Sequence, residues 1–452
     1  MRTDRMTPLE LRVSVSLAGI FGLRMLGLFV ILPIFALYAE ALPGGRDHTL
    51  VGIALGAYGL TQAILQIPFG WLSDRWGRKP TIYFGLAIFA VGSVVAALAH
   101  TLPMIILGRV IQGAGAISAA VIALLADLTR EEVRTKAMAI IGISIGLTFA
   151  LSMIGGPILN RWIGVPGIFL LTGILATGAI VAVRFGIPDP PPQTRADRAE
   201  APRFRDVLRD PELARLNYGV FALNAMLMAM WVVVPFQLRA GGLEAAAHWK
   251  VYLPVMLGSI LIMAPVLMQS ERRGWQKSAF LGSVALLLIA QFLLAWAGDT
   301  VLMLVVALLA FFTAFNMLES SMPSMISKTA PPQAKGTAIG VYSSIQFLGT
   351  FVGAAVGGVL SQHFGGVAVF GFCALLGVGW LAVAAGMAVP AVRSYPLPPL
   401  ESAGTDRLLD QIKALPGVRD ATLAADENRA MLRVDMTRFD EQNVTRLLQG
   451  ET

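Results

Sequence analysis

The sequence predicts an all-α membrane protein with twelve transmembrane helices. Hydrophobic residues make up 56% of the 452 residues, charged residues only 14%, and the mean hydropathy is +0.69. Soluble domains carry roughly a quarter charged residues. Runs of about 20 apolar residues can cross a bilayer as helices, which satisfy their own backbone groups, and no alternating pattern typical of barrel strands is present. Twelve such runs cover 13–39, 50–72, 81–99, 102–126, 137–159, 165–187, 214–238, 249–269, 278–297, 301–326, 337–361 and 367–389.

Basic residues fix the predicted orientation. They are concentrated in the N-terminus and the even-numbered loops, whereas the odd-numbered loops hold only Arg46, Arg161, Arg239 and Lys250. Lysine and arginine mark cytoplasmic loops, so both termini and every even-numbered loop are expected in the cytoplasm. The net charge of +7 is thus an orientation signal, and no nucleic-acid partner is expected.

The N-terminus shows no cleavage site of a signal peptide. The single cysteine, Cys373, excludes an internal disulfide.

The spans divide into two similar groups of six. A hydrophilic linker, 188–213, separates an N-terminal lobe, 1–187, from a C-terminal lobe, 214–390. The segment "DRWGRK" between the second and third spans has a weaker copy, "ERRGWQK", between the eighth and ninth. Likewise, "RTKAMA" opens the fifth span and "KGTAIG" opens the eleventh. Parallel copies of this kind are typical of secondary transporters with two lobes.

The loop "GWLSDRWGRKP", residues 70–80, combines charge with turn residues between two apolar runs. Gly77 allows a tight turn that a side chain would hinder. Asp74 can face a helix N-terminus, whose dipole favours an anion. Arg78 can form a forked pair with a carboxylate, and the nearest candidate is Asp127 at the end of the fourth span. An ordinary basic loop explains the arginines and the lysine but neither Asp74 nor Gly77.

This loop resembles the signature G-x-L-x-D-R-x-G-R-K-x of the major facilitator superfamily, and the resemblance extends over residues 13–389. The matching residues are Gly70, Leu72, Asp74, Arg75, Gly77, Arg78 and Lys79. The resemblance implies two six-helix lobes that work by alternating access. It also implies that these residues and Asp127 tie the cytoplasmic ends together in the outward-open state.

Three ionisable residues lie too deep in the spans to belong to loops. They are Arg24, Arg109 and Glu319, and such residues usually line a cavity or pathway. The resemblance places spans one, four, seven and ten at the centre, and Asn224 adds a polar residue from the seventh. "RVIQGAG" resembles the R-x-x-Q-G motif implicated in proton coupling, which singles out Arg109 and Gln112. Tyr342 and Gln346, in "KGTAIGVYSSIQFLG", complete the predicted pathway. A structural Arg–Glu pair or a snorkelling side chain is the alternative.

The fifth span contains "GISIGLTFALSMIGGP". Gly146, Gly155, Gly156 and Pro157 resemble the glycine motif of drug:proton antiporters, which implies close helix packing and a kink. Two positions depart from the motif, because Ser152 replaces a glycine and Asn160 follows where a glycine is expected. Generic helix packing is the alternative, and the direction of transport stays open.

A different composition begins after the last span, in residues 391–452. Patterns of apolar residues and caps predict a helix at 404–418, a hairpin from 419–425 and 429–436, and a helix at 437–450, with 392–397 open as a first strand. The order resembles a ferredoxin-like α+β module, as small heavy-metal-associated domains have. The lack of a Cys-x-x-Cys argues against metal binding. A transporter body with such a cytoplasmic module resembles a group of bacterial efflux proteins of this superfamily, and the resemblance implies a location in the bacterial inner membrane.

Together these patterns predict a proton-coupled exporter of small organic or amphipathic molecules. Its partners are a small-molecule substrate, protons and the lipid bilayer, and the C-terminal module is expected to dock on cytoplasmic loops or to self-associate. We expect no cofactor, no metal and no enzymatic activity, because nucleotide-binding, metal-ligating and nucleophile motifs are absent from the sequence. A membrane-embedded ligand sensor that signals through the module is the alternative, as is an importer or uniporter of the same fold.

Overall fold

The computed structural model describes residues 6–190, 207, 209–273, 275–330, 335–387, 390–396, 408, 411–424, 429–435 and 439–449. In the first half, the helices are α1 Pro8–Phe29, α2 Leu32–Ala39, α3 His48–Trp76, α4 Arg78–Ala97, α5 Leu102–Ala114, α6 Ser118–Asp127 and α7 Glu131–Gly186. In the second half, they are α8 Pro211–Ala240, α9 Trp249–Arg273, α10 Gln276–Ala297, α11 Val301–Thr329, α12 Lys335–Phe364 and α13 Gly366–Ala385.

The described part of the chain contains 11 helical segments long and apolar enough to cross a membrane. The sequence predicts twelve, and the difference lies in α7, where the predicted spans 137–159 and 165–187, apart from residue 187, fall within one segment, Lys136–Gly186. Its 51 residues would extend about 77 Å as one straight helix, more than twice the hydrocarbon thickness. Gly164 interrupts the helical geometry with φ 66° and ψ 172°. Two further segments join shorter helices, α1 with α2 and α5 with α6.

Local capping explains where several helices begin. Thr7 and Glu10 form a reciprocal capping box at the start of α1. Asp47 caps α3 and Asp210 caps α8. In each case the carboxylate accepts hydrogen bonds from two backbone amides in the first turn of the helix. Gly77 separates α3 from α4 with φ 99°, a conformation that favours glycine.

The two halves pack closely at one end of the bundle, along α3 and α12. We call this the far end, and the end that holds residues 70–80 the basic end. Three glycines on one face of α3, Gly52, Gly56 and Gly59, allow the two backbones to approach each other. A Cβ atom at Gly52 would lie 2.2 Å from the carbonyl oxygen of Ala354. Aromatic packing adds to this contact, since the rings of Phe149 on α7 and Phe315 on α11 are 5.6 Å apart.

Toward the basic end, the faces of α7 and α12 that meet the other half at the far end lie open. On α7, Gly142 and Gly146 share the face of Phe149 by helical spacing, yet both are exposed and their Cβ positions meet no atom within 4 Å. On α12, the same is true of the Cβ positions of Gly336 and Gly340. The bundle is therefore closed at the far end and open at the basic end.

Beyond the last helix, the described residues include three strands, β1 Pro390–Pro396, β2 Val418–Ala424 and β3 Arg429–Asp435, and a helix, α14 Glu441–Gln449. The strands form an antiparallel sheet in the order β1-β3-β2. A small apolar cluster that includes Ile412, Leu432 and Val444 covers it. Strand β1 lies beside α11. The ferredoxin-like assignment of this segment stays a prediction, and positions 404–407, 409 and 410 of the predicted helix 404–418 lie outside the described residues.

Candidate functional site

Arg78 links the residues of the cluster at the basic end. Its Nε donates to Asp127 at 2.9 Å, and its guanidinium also pairs with Asp74 and donates to Ser73 Oγ at 3.1 Å. Arg78 comes from the start of α4, Asp74 from the end of α3 and Asp127 from the end of α6. The structure therefore brings together the charges that the sequence predicts to meet. Asp74 pairs with the Arg78 side chain, whereas the sequence suggests a helix N-terminus as its partner, and its side chain is 61% exposed.

Two other basic residues of the loop have distinct environments. The Lys79 ammonium is buried, donating to the carbonyl of Ile187 at 2.6 Å and pairing with Asp189 at 2.7 Å. This ammonium lowers the pKa of the Asp189 carboxyl, so the pair weakens as the pH falls through that lowered pKa. Arg75 instead stacks over the ring of Trp71 at 4.3 Å. Gly70 lies where a Cβ would be 3.4 Å from Ala119, an ordinary contact.

Arg109 is fully buried in the middle of the first half. Its guanidinium donates to the carbonyl of Gly27 at 2.9 Å and to Gln112 Oε1 at 2.6 Å, and it lies 4.8 Å from the ring centre of Tyr58. Gln112 in turn donates to Ser93 Oγ at 2.9 Å. Because the described partners of Arg109 are neutral, a structural Arg–Glu pair does not explain its position.

Arg24 lies close to this network and is only 2% exposed. It donates to Ser118 Oγ and to Gln62 Oε1, and the amide of Gln62 donates to the carbonyl of Gly113 at 2.7 Å. Its burial excludes a snorkelling side chain. Gln62 and Ser118 are absent from the predicted site, because a single polar residue in a span gives no signal of its own in a sequence.

Glu319 occupies the second half, on α11. It is partly buried, and its Oε1 accepts a hydrogen bond from Gln346 Nε2 at 2.8 Å. Its other oxygen, Oε2, is buried without a hydrogen-bond partner among the described residues, as is the hydroxyl of Tyr342. The predicted pair Glu319 and Gln346 thus meets, while Glu319 and the two arginines belong to separate networks.

Phe347 connects the two networks across the interface between the halves. It follows Gln346 on α12, and its ring centre lies 5.8 Å from the Arg24 guanidinium and 6.4 Å from the ring centre of Tyr58. Phe347 and Tyr58 are part of the site that sequence patterns miss, because an aromatic residue in an apolar span is indistinguishable from core.

Three predicted residues behave differently from expectation. The amide of Asn224 donates to Val220 on its own helix at 3.1 Å, and the residue is 7% exposed. The close packing expected of the glycine motif is not formed at Gly146 and Gly155 in this conformation, because their Cβ positions meet no atom within 4 Å. It holds for Gly156, where a Cβ would lie 2.4 Å from the carbonyl oxygen of Val30. Pro157, beside it, is buried within α7.

A polar clasp at the far end joins the halves and is absent from the predicted site. Arg239 Nη1 and Nη2 donate to the two carboxylate oxygens of Glu40 at 2.5 and 3.0 Å. His48 reaches across to α12, where its backbone amide donates to Gln362 at 2.7 Å and its ring Nδ1 lies 2.8 Å from Ser361 Oγ.

The chain belongs to the major facilitator superfamily. The model of the Major Facilitator Superfamily matches residues 17–348, with an overlapping second match at 244–425. The fold agrees, because the chain superimposes with a TM-score of 0.68 on a bacterial homologue of the human lysosomal transporter Spinster, at 14% identity, over 84% of this chain and 97% of that one. The protein is therefore a multi-pass membrane transporter, and its family and fold are those of transporters rather than enzymes.

Two relatives in sequence are informative. The chain is 43% identical to the inner membrane transport protein YajR of Escherichia coli over 439 residues, which cover 96% of each protein. It is 26% identical to the multidrug resistance protein MdtH of Aeromonas hydrophila, over 79% of this chain and 87% of that protein.

Proposed function

We propose that the protein is a proton-coupled secondary transporter that exports small organic or amphipathic molecules by alternating access. The observation that carries this proposal is the position of Arg24, Arg109 and Glu319. All three lie at depth beside the interface of two halves that meet at one end and are open at the other. Ionisable groups in a membrane are expensive and mark pathways for ions or substrates.

In this proposal, the open end faces the cytoplasm, and the chain crosses a bacterial inner membrane twelve times. Gly164 supports twelve crossings, because its non-helical geometry lets α7 supply two spans. The basic loops support cytoplasmic termini, and the name of the Escherichia coli relative supports the inner membrane. Residues 391–452 form a cytoplasmic, ferredoxin-like module.

The charged cluster at the basic end holds the closed cytoplasmic side in the alternate, outward-open state. Its exposed Asp74 is available for a partner in the second half when the halves close there. The exposed Gly142 and Gly146 supply a smooth face for the same closure, as Gly52 and Gly56 do at the far end.

Flux in proteoliposomes tests the proposal. The purified protein is reconstituted and given a proton gradient, and uptake or release of a panel of fluorescent organic compounds is followed with and without an uncoupler. We expect flux that collapses with the gradient, in the direction of antiport. Flux along the proton gradient would instead indicate an importer, and flux indifferent to the gradient a uniporter.

A ligand sensor is the second candidate, supported by the contact between β1 and α11, through which the helix bundle could act on the C-terminal module. Binding of a compound without any flux in the same vesicles would favour the sensor over the transporter.

A further inference from the structure

Two positive charges lie deep in the first half without a negative partner. Each guanidinium has five N–H donors. The described partners of Arg24 are a hydroxyl and an amide oxygen, and those of Arg109 are a carbonyl and an amide oxygen. Both Nε atoms and Arg109 Nη2 are buried without a hydrogen-bond partner among the described residues. Donor capacity therefore remains at both side chains.

The imbalance persists even if the protein changes conformation. The sequence places one acidic residue, Glu319, at depth in the spans, and the other acids lie near span ends or in loops and tails. If Glu319 paired with one arginine in another state, the other would still lack a counter-charge. A buried charge without a partner costs several kcal/mol, so an anion from outside the chain would be stabilised here.

The surroundings of Arg24 indicate what kind of anion fits. Its guanidinium lies 5.9 Å from the ring centre of Phe21 and 5.8 Å from that of Phe347, and Tyr58 adds a third ring beside Arg109. Phe347 belongs to the second half, so this aromatic surface changes when the halves move. Aromatic rings next to a guanidinium suit a molecule with an anionic group and an apolar body better than a hydrated inorganic ion.

We propose that Arg24, with Phe21 and Phe347 beside it, is a substrate subsite for the carboxylate, sulfonate or phosphate group of an amphipathic organic anion. Arg109 strengthens the positive field from the adjoining network. This inference rests on the proposed transport function, whose substrate class it narrows from organic molecules to organic anions. In the structure, Arg24 is closed off by its neighbours, so the anion replaces the contacts to Gln62 or Ser118 when it binds.

Equilibrium binding tests the subsite without a proton gradient, so its failure is distinguishable from a failure of transport. The protein in phosphatidylcholine nanodiscs is titrated with three probes of equal chain length, hexanesulfonate, hexyltrimethylammonium and hexanol, at constant ionic strength. We expect hexanesulfonate to raise the melting temperature in a saturable manner, and the other two probes not to. Equal effects of the sulfonate and the ammonium probe would overturn the proposal.

Variants locate the site. Arg24→Gln should weaken hexanesulfonate binding at least about tenfold, since a charge-assisted hydrogen bond is lost. Arg161→Gln, which removes an exposed arginine near the far end, should leave binding unchanged. If Arg24→Gln fails to fold, Arg24→Lys takes its place in the test. Lysine keeps the positive charge but lacks the planar, forked donor geometry of the guanidinium, so this variant should bind the sulfonate more weakly than the parent protein does. Unchanged affinity in the folded Arg24 variant would overturn the assignment.

A separate titration with sodium chloride and sodium sulfate distinguishes a small inorganic ion from an amphipathic one. Stabilisation by hexanesulfonate at concentrations far below those of chloride or sulfate supports the proposal. Stabilisation by chloride or sulfate at equal concentration would overturn the organic part of it.

Discussion

At the residue scale, sequence patterns predict the charged side chains of the candidate site but not the neutral partners that hold them. Arg24 and Arg109 are conspicuous because arginine is rare at depth in a span. Gln62 and Ser118 resemble ordinary polar residues until the fold brings them to Arg24. Phe347 is one of 23 phenylalanines, and nothing in its sequence neighbours distinguishes it from core. A pattern along one helix identifies costly residues, whereas their partners lie on other helices.

Asp74→Asn should remove most transport while leaving the protein in the membrane. The change removes the charge that faces Arg78, whose remaining carboxylate partner described here is Asp127. It also removes the exposed anion that we expect to hold the cytoplasmic side closed. We expect initial flux rates to fall about tenfold or more at equal protein content, measured in the proteoliposome assay. Asp299→Asn, an exposed aspartate at the far end, is the matched control. Near-normal flux in well-expressed Asp74→Asn would show that this charge is dispensable.

Arg109→Ala should abolish proton-coupled flux. The guanidinium organises Gln112 and the carbonyl of Gly27, and no base among its described partners can replace its positive charge. Two measurements are decisive, the pH dependence of flux and the affinity for substrate. A purely structural change would lower the amount of folded protein without altering either of these two quantities. Arg161→Ala supplies the control. Retention of both coupling and affinity in folded Arg109→Ala would make Arg109 a structural residue.

At the scale of elements, periodicity predicts the helices well and their interruptions poorly. Apolar runs of about 20 residues mark the spans, because the bilayer imposes that length. The break between α5 and α6 and the continuous assignment of α7 across Gly164 depend on packing and on one residue's backbone angles. The glycine faces show the same limit. Gly52 and Gly146 look alike in the sequence, yet one lies against a carbonyl and the other against open space.

Glu40→Gln should weaken the clasp at the far end and favour opening there. Arg239 then keeps one neutral acceptor in place of a bidentate carboxylate. A partly exposed ion pair contributes about 0.2–1 kcal/mol, so we expect a shift in the opening equilibrium of between about 1.4-fold and fivefold. A cysteine introduced at Ala354, buried between α3 and α12, reports it through its rate of labelling by a membrane-impermeant maleimide. The native Cys373 is buried and gives little background.

Glu244→Gln, an exposed change at the same end, is the control for this measurement and should leave the labelling rate unaltered. Equal rates in Glu40→Gln and the parent would mean that the packed glycine face alone keeps the far end closed.

At the scale of the whole molecule, two features set how the protein can move. The halves are joined in sequence by the linker at 188–213 and in space by the far-end contact. At the basic end, Lys79 ties the start of α4 to Ile187 and Asp189, where the linker begins. In the proposed alternating access, we expect rocking of one half on the other to be accompanied by movement of the linker. The C-terminal segment, with β1 beside α11, lies against the second half.

Truncation after Pro390 should leave a folded protein that still transports, with an altered rate or pH dependence. The truncation removes β1 apart from its first residue, together with β2, β3 and α14, but none of the spans. The charged networks of Arg24, Arg109 and Glu319 lie wholly within what remains. The removed module carries ten acidic and seven basic residues between Glu401 and Thr452. The net charge of residues 401–452, 7 − 10 = −3, becomes −2 when Arg393 is included, and it favours docking on the arginine-rich loops of the basic end. Salt would screen that attraction. The pH–rate profile of the truncated and full-length proteins, each measured at low and high ionic strength, is the test. If the module docks, high salt should bring the full-length profile toward the truncated one. Identical profiles at low salt would show a passive tail, and an unfolded truncation would show a structural one.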